Sequence, residues 1–450
     1  MGMGESLFFY DALFGYVNFD REIMRIDPTE RIFKGEDPNG IFKDLLKTYE
    51  MTRQLFIKQS GLCFLEYPSA THNRFSHSIG CWLIGTYALE SVRVFIEGEY
   101  EKLVDWLARQ DCVFEFLVSL LVHDCGHGPF SHLLEYNAEL DFDHERMTRE
   151  MVLGEGTYAK LVSERAGSIP TVHEVLDEYD VNKCLVAGLT SLSDDEFEKH
   201  FEKHLIPIKD LVDSKIDIDK LDHCLRDIKY FGIGLEMNIN AFLENIVLYP
   251  WSSNPTRVKS AGIPHIFNLL YCREFVWLTA LTNPKVEAYS TMLNYALTRM
   301  LERDELAEED VVLFTDDELL NRLRESRDKD VRDMYSRVVG RKPYLMVHQC
   351  MVSAKAERRE IEEKLQDVRR KLKVDERDLL LYAPFRERPK KPTYWLLVTT
   401  EDGKELSDTH PGLNRALWDM EDMRNRTIKF FASPEVARSA DVRKTLQDVF

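Results

Sequence analysis

Apolar residues recur at spacings of three and four through Phe42, Leu45, Leu46 and Tyr49, and again over residues 79–94 and 104–122. That period gives helices with one buried stripe. Period-two alternation is scarce before residue 370, so most of the first 340 residues read as helix. Ser193 with Glu196 fits a capping box, and Thr315-Asp316-Asp317-Glu318 opens another helix. Pro28, Pro38 and the turn signal Pro38-Asn39-Gly40 place a loop over residues 22–40. The apolar run 116–122, broken only by Ser119, leads straight into His123 and Asp124. Gly126, Gly128 and Pro129 then end the helix.

The pattern changes near residue 343. Ile361, Leu365, Val368 and Leu372 keep helical spacing in the charged stretch 355–373. Residues 379–382 and 394–398 read as strands, Asp402-Gly403 as a hairpin turn, and the basic stretch 386–392 as a surface loop. The expected architecture is mainly α: a helical core over residues 1–342 and a smaller α+β lobe over 343–450.

Composition narrows the class. The 450 residues are 44% hydrophobic and 30% charged, with a formal net charge of −19. Such a charge disfavours non-specific binding to nucleic acid or anionic membranes. No apolar stretch approaches the roughly 18 residues that suggest a membrane span, and no leader pattern opens the chain. Eight scattered cysteines without a C-x-x-C pair fit free thiols in a reducing compartment, cytoplasmic or nuclear.

Burying Asp124 beside His123 at the end of an apolar helix is costly unless something compensates the charge, and a metal ion is the common compensation. Two further ligands present themselves. His77 closes the stretch 72–78, and Asp219 lies at a loop-to-helix junction in 216–223. Two imidazoles and two carboxylates suit Fe, Mn, Ni or Zn and leave positions open for water and a phosphate oxygen. Singly each piece has a plainer reading: a hydrogen-bonded His-Asp couple, or, for Asp217, Asp219 and Asp222, a solvated helix start. Three histidines within ten residues, in a chain holding 13, favour the metal site.

Lys58-Gln59, the stretch 72–78, the run His123-Asp124-Cys125-Gly126-His127-Gly128-Pro129-Phe130-Ser131-His132, His144-Glu145 and Asp217-Ile218-Asp219-Lys220 together resemble the HD domain of the SAM- and HD-domain deoxynucleoside triphosphate triphosphohydrolases and their dGTPase-like relatives. The resemblance spans about residues 8–300 and, weakly, the C-terminal lobe; it is to the enzyme core only, and an N-terminal SAM domain is not expected. It implies one transition-metal ion on His77, His123, Asp124 and Asp219, with Mg accompanying the nucleotide, and release of nucleoside and intact triphosphate. His127, His132 and His144 match the histidines around the phosphates, one of them a general acid, with Glu135 as a carboxylate partner. Arg74, Lys220 and Arg273 match residues that neutralise the triphosphate, Gln59 and Asp227 those at the sugar edge. Read without the resemblance, Glu135 fits a solvated helix equally well.

The departures carry information too. His223, Trp277 and Leu281 stand where the family has a tyrosine, a histidine and the tyrosine under the deoxyribose, which opens the sugar preference. Lys47, Thr52 and Leu55 replace the family's allosteric nucleotide ligands, so activation by that route is not expected. Cys125 replaces an apolar residue beside the metal, as inert packing or as an oxidisable neighbour. The resemblance also implies a homo-oligomer. Two other functions compete: an HD phosphohydrolase acting on another nucleotide or a phosphodiester, and a nucleotide- or nucleic-acid-binding regulator.

Overall fold

The computed structural model describes residues 8–26, 40–137, 139–214, 216–353, 358–383, 399–400, 404 and 410–450. The fold is mainly α, as the hydrophobic pattern predicts. Five helices build the centre. α1 (Arg74–Ser91) is capped by Asn73, whose Oδ1 accepts the Ser76 N–H at 2.9 Å. α2 (Val113–Val122) is buried on nearly every face, as an apolar run of this density requires. α3 (His144–Leu153) begins at Asp143 and ends at Gly154, where φ is 73°. α4 (Ile218–Phe231) starts at Asp217, whose carboxylate accepts the Lys220 N–H at 2.6 Å. α5 (Pro284–Glu302) follows much later in the chain. α1 packs between α2 and α4, which brings the ends of three helices from distant parts of the sequence together.

Ten short strands are present among the described residues: β1 (Phe8–Asp11), β2 (Gly15–Asn18), β3 (Arg93–Ile96), β4 (Glu99–Lys102), β5 (Ile246–Leu248), β6 (Thr256–Val258), β7 (Leu345–Met351), β8 (Leu379–Tyr382), β9 (Thr399–Thr400) and β10 (Thr427–Ala432). They form a β1–β2 hairpin, a mixed sheet in the order β4-β3-β5-β6-β9, and an antiparallel sheet in the order β7-β10-β8. Strands are therefore commoner before residue 370 than the sequence pattern suggests. Most have three or four residues, too few for period two to register.

Two predicted helices are also corrected. The helix expected over 79–94 stops at Ser91, because the buried Val92 and Val94 continue into extended chain and β3 pairs parallel to β5. The stretch 104–122 is two helices, Leu103–Arg109 and α2, separated where Asp111 turns left-handed at φ 55°. The capping box forms as expected at Ser193/Glu196, and the helix expected to open at Thr315 carries one as well, with Glu318.

Toward the C-terminus α6 (Arg358–Leu372) buries Ile361, Leu365 and Val368 against Leu379, Phe430 and Leu446, a second apolar cluster. On the other face of the same sheet Leu380 and Phe431 join the main core. Lys429 of β10 reaches Glu287 of α5 in a buried ion pair, with Nζ 2.7 and 2.5 Å from the two carboxylate oxygens. Of the loop expected over 22–40, residues 22–26 are instead helical, the end of Phe19–Ile26, and residues 27–39 lie outside the described residues, as do the basic loop 386–392, the strand 394–398 and the turn at Asp402-Gly403.

Candidate metal and phosphate site

His77 sits one turn into α1, His123 caps the end of α2, Asp124 follows it, and Asp219 lies in the first turn of α4. Their ligand atoms converge. His77 Nε2 is 3.2 Å from His123 Nε2, 3.4 Å from Asp124 Oδ2 and 3.0 Å from Asp219 Oδ1. His123 Nε2 stands 3.5 Å from Asp124 Oδ2 and 3.7 Å from Asp219 Oδ1. Ligands bound about 2.1 Å from one ion stand roughly 3.0 to 3.4 Å apart, for right and tetrahedral angles respectively. His77, His123 and Asp219, with Cys81 beside them, form a group that could hold a metal ion, and Asp124 adjoins both histidines.

Hydrogen bonds at the far side of each ring fix the tautomers. His77 Nδ1 donates to Asp222 Oδ2 at 2.7 Å and His123 Nδ1 donates to the Leu120 carbonyl at 3.0 Å. Both Nε2 lone pairs are thus aimed at the same point, an arrangement that outer partners commonly enforce on metal-binding histidines. Two facing lone pairs repel unless a positive charge lies between them. Burial works against an imidazolium at His77. The Cys81 sulfur and the carboxylates of Asp124, Asp219 and Asp222 outweigh it and hold the ring well above the usual histidine value. Burial likewise opposes ionisation of Asp124, but Arg74, His123 and His127 keep its carboxyl well below the usual range. The pocket calls for a cation.

A second cluster lies beside the first. His127 Nε2 is 3.3 Å from Asp124 Oδ1, so the two clusters share a carboxylate. Glu135 bridges two rings, accepting from His132 Nδ1 at 2.9 Å and from His144 Nδ1 at 2.5 Å. It is an orienting carboxylate, which corrects the solvated-helix alternative. The rings of His127 and His144 stack at 3.9 Å and 15°. Burial, Arg74 and His144 depress His127 well below its usual value and keep it neutral. Burial opposes the charge on His144 too, but Glu135 prevails and raises it to about 9. One ring of the stacked pair is therefore charged and the other is not.

Asp124, Asp219, His127, His132 and His144 line a cavity of about 280 Å³ with Gln59, Arg74, Lys220, His223, Asp227 and Arg273, the last six being all the substrate-side residues expected from the sequence. Trp277 and Leu281 are on its wall. Arg74 donates to Asp124 and, through Nε, to Ser131 Oγ at 3.0 Å. Lys220 Nζ is 2.6 Å from Asp217 Oδ2, and that carboxylate helps keep the ammonium charged. Asp227 Oδ1 accepts from Ser60 Oγ at 2.8 Å and His72 Nε2 at 2.7 Å, while Gln59 Oε1 is buried without a partner among the described residues.

Several residues that build the site escaped the sequence reading. Arg53 Nη2 donates to the carbonyls of Cys125 at 3.0 Å and His127 at 2.6 Å, and Gln54 Nε2 donates to Cys125 at 3.0 Å. Asp316 accepts the N–H of Phe130 at 2.6 Å and of Lys58 at 2.9 Å, tying the two loops that line the cavity. The turn's left-handed residues are Phe130 (φ 54°) and Ser131 (φ 61°) rather than its glycines. Gly126 serves close approach instead: a Cβ there would collide with the His144 carbonyl and the Thr148 amide of α3. Cys125 is fully buried, and burial pushes its thiol far up, so it acts as packing.

No family profile matches the chain. An HD domain-containing protein of Acanthamoeba polyphaga mimivirus is 30% identical over 244 residues, which cover 51% of this chain and 48% of that protein. The similarity to this HD domain-containing protein thus covers about half of each chain. The deoxynucleoside triphosphate triphosphohydrolase SAMHD1 of Xenopus laevis is 25% identical over 281 residues, 57% of this chain and 42% of that protein. A solved phosphohydrolase of Bacteroides thetaiotaomicron shares the fold of this chain, with a TM-score of 0.64 at 18% identity over 95% of this chain and 99% of that one. The chain spans about half the length of the curated relatives it matches, 40%, 55% and 48% for three of them. No helix among the described residues is long and apolar enough to cross a membrane.

Proposed function

We propose that the chain is a metal-dependent phosphohydrolase that cleaves nucleoside triphosphates, deoxynucleotides by preference, to nucleoside and triphosphate. The observation that carries this reading is that Asp124 and Asp219, which lie within 3.4 Å of His77 Nε2, line a cavity that also holds three cationic side chains and four histidines. A first-row divalent ion held by His77, His123, Asp124 and Asp219 would polarise a phosphoryl oxygen and lower the pKa of a water. Arg74, Lys220 and Arg273 supply positive charge for a triphosphate, Arg74 with a fork already braced by Asp124 and Ser131. With Nδ1 of His132 and His144 engaged by Glu135, their Nε2 atoms are the proton carriers that would meet a leaving 5′-oxygen. Gln59 and Asp227 offer acceptors to sugar hydroxyls.

In this reading Mg accompanies the nucleotide, the chain assembles with copies of itself, and the division between catalytic core and C-terminal lobe falls at 342/343. A second substrate class, ribonucleotides or another phosphate ester, is favoured by one feature. Leu281 and Trp277 line the wall where the resemblance would place a tyrosine and a histidine. The test is product analysis by ion-pair chromatography with each of four dNTPs and four NTPs, in Mn²⁺ and Mg²⁺, beside Asp124→Ala. Nucleoside plus intact triphosphate, absent in the variant, is the expected result. Inactivity on all eight in metal-loaded protein refutes the triphosphohydrolase reading.

A further inference from the structure

A buried chain of charges runs away from the metal cluster toward the N-terminal hairpin. His77 Nδ1 donates to Asp222 Oδ2 at 2.7 Å. Arg226 clasps the same carboxylate with two bonds, Nε to Oδ2 and Nη2 to Oδ1, each 2.8 Å. Its remaining arm, Nη1, reaches Asp11 Oδ2 at 2.7 Å. The His77, Asp222 and Arg226 side chains are fully buried and that of Asp11 is 4% exposed. Water can therefore replace none of these bonds. The chain passes α1 at Gly80, where a Cβ would collide with Asp222 Oδ1 and Arg226 Nη2. The helix carrying His77 thus leaves a gap, three residues on, for the pair that orients it.

We propose that Asp11, on β1 and 66 positions before His77 in the chain, is a positioning residue for the metal centre. This rests on the metal reading of that centre. Asp222 can orient the His77 ring only while its own carboxylate is held, and Arg226 holds it on one side. Arg226 can adopt that pose in a dry interior only if its third arm is satisfied. Asp11 supplies that partner. Its other oxygen accepts the N–H groups of Leu13 at 2.8 Å and Phe14 at 3.2 Å, which shapes the β1–β2 turn. One side chain therefore couples the closing of the hairpin to the aim of a metal ligand about 46 residues before the next one, His123.

Asp11→Asn separates the two duties. Its Oδ1 still accepts from the turn, while an amide NH₂ now faces Arg226, donor against donor. The measurement is the affinity of the metal-free full chain for Mn²⁺ alone, from the electron paramagnetic resonance signal of the free ion. Asp222→Asn and the double variant are run alongside, and circular dichroism with thermal melting of each metal-free protein reports the fold. Asp11→Asn is expected to weaken Mn²⁺ binding about tenfold, at the lower end of the 10–100-fold typical of outer-shell partners, with the fold retained. The double variant is expected to lose no more than Asp222→Asn, because Asp11 acts through Asp222. Gly80→Ala is expected to weaken Mn²⁺ in the same way. Wild-type affinity in Asp11→Asn, or losses that simply multiply in the double variant, would overturn the proposal. A wild-type chain that binds no Mn²⁺ overturns it together with the metal reading, whereas tight Mn²⁺ binding without nucleotide hydrolysis touches only the substrate assignment.

Discussion

Glu135→Gln probes the second histidine cluster without altering its volume. In the native protein Glu135 accepts from both His132 and His144 and raises His144 to about 9 against the cost of burial. At pH 7.5 a pKa of about 9 leaves the ring about 97% protonated, and the ordinary value of about 6.5 would leave about 9%. The amide removes the charge and keeps one acceptor, while burial still opposes the imidazolium, so the pKa is expected to fall to about 6.5 or below. The shift is worth on the order of 3 kcal/mol at most, and less in practice because the His144 side chain is 20% exposed. The sign follows from linkage. A raised histidine pKa contributes stability that is full below about 6.5 and lost as pH rises to about 9. The assay is a histidine NMR titration of metal-free protein, wild type against variant, followed by pH–rate profiles of the loaded protein. The wild-type His144 resonance should titrate near 9, the variant's at 6.5 or lower, and hydrolysis at pH 7.5 should drop about tenfold. A variant whose His144 titrates as in the wild type would refute the claim that Glu135 keeps that ring charged.

Two further predictions concern the framework. Gly126→Ala should destabilise the fold by about 1–3 kcal/mol in urea unfolding, because its Cβ must displace the backbone of α3 where Thr148 Oγ1 accepts the Gly126 N–H at 3.0 Å. Lys429→Met strips the buried Glu287 carboxylate of its cation, at a cost of about 3–5 kcal/mol while that group is charged. Burial already pushes Glu287 to about 7. The loss should therefore be larger at pH 8 than at pH 6, and an equal loss at both would show that the carboxyl is not ionised in the native protein.

The chain's own pattern determined the helical class, the capping box at Ser193/Glu196, the helix start at Thr315 and the helical packing face of Ile361, Leu365 and Val368. The candidate site was legible because its chemistry is costly: His123, Asp124 and His127 follow an apolar helix whose interior cannot hold such groups unaided. The short strands β3 to β6 were not legible, since pairing with distant chain makes a three- or four-residue strand. Nor were the residues that aim the ligands. Asp222 and Arg226 lie on α4 at the spacing of an ordinary solvated ion pair, and only the packing of α1 at Gly80 makes them a dry clasp behind His77. Arg53 shows the same limit: nothing near it in sequence says that its guanidinium will meet the carbonyls of Cys125 and His127, over seventy positions away. Sequence fixes which groups need compensation. Tertiary structure decides which distant partner provides it, because hydrogen bonds and ion pairs act over a few ångströms and the chain alone does not bring those groups that close.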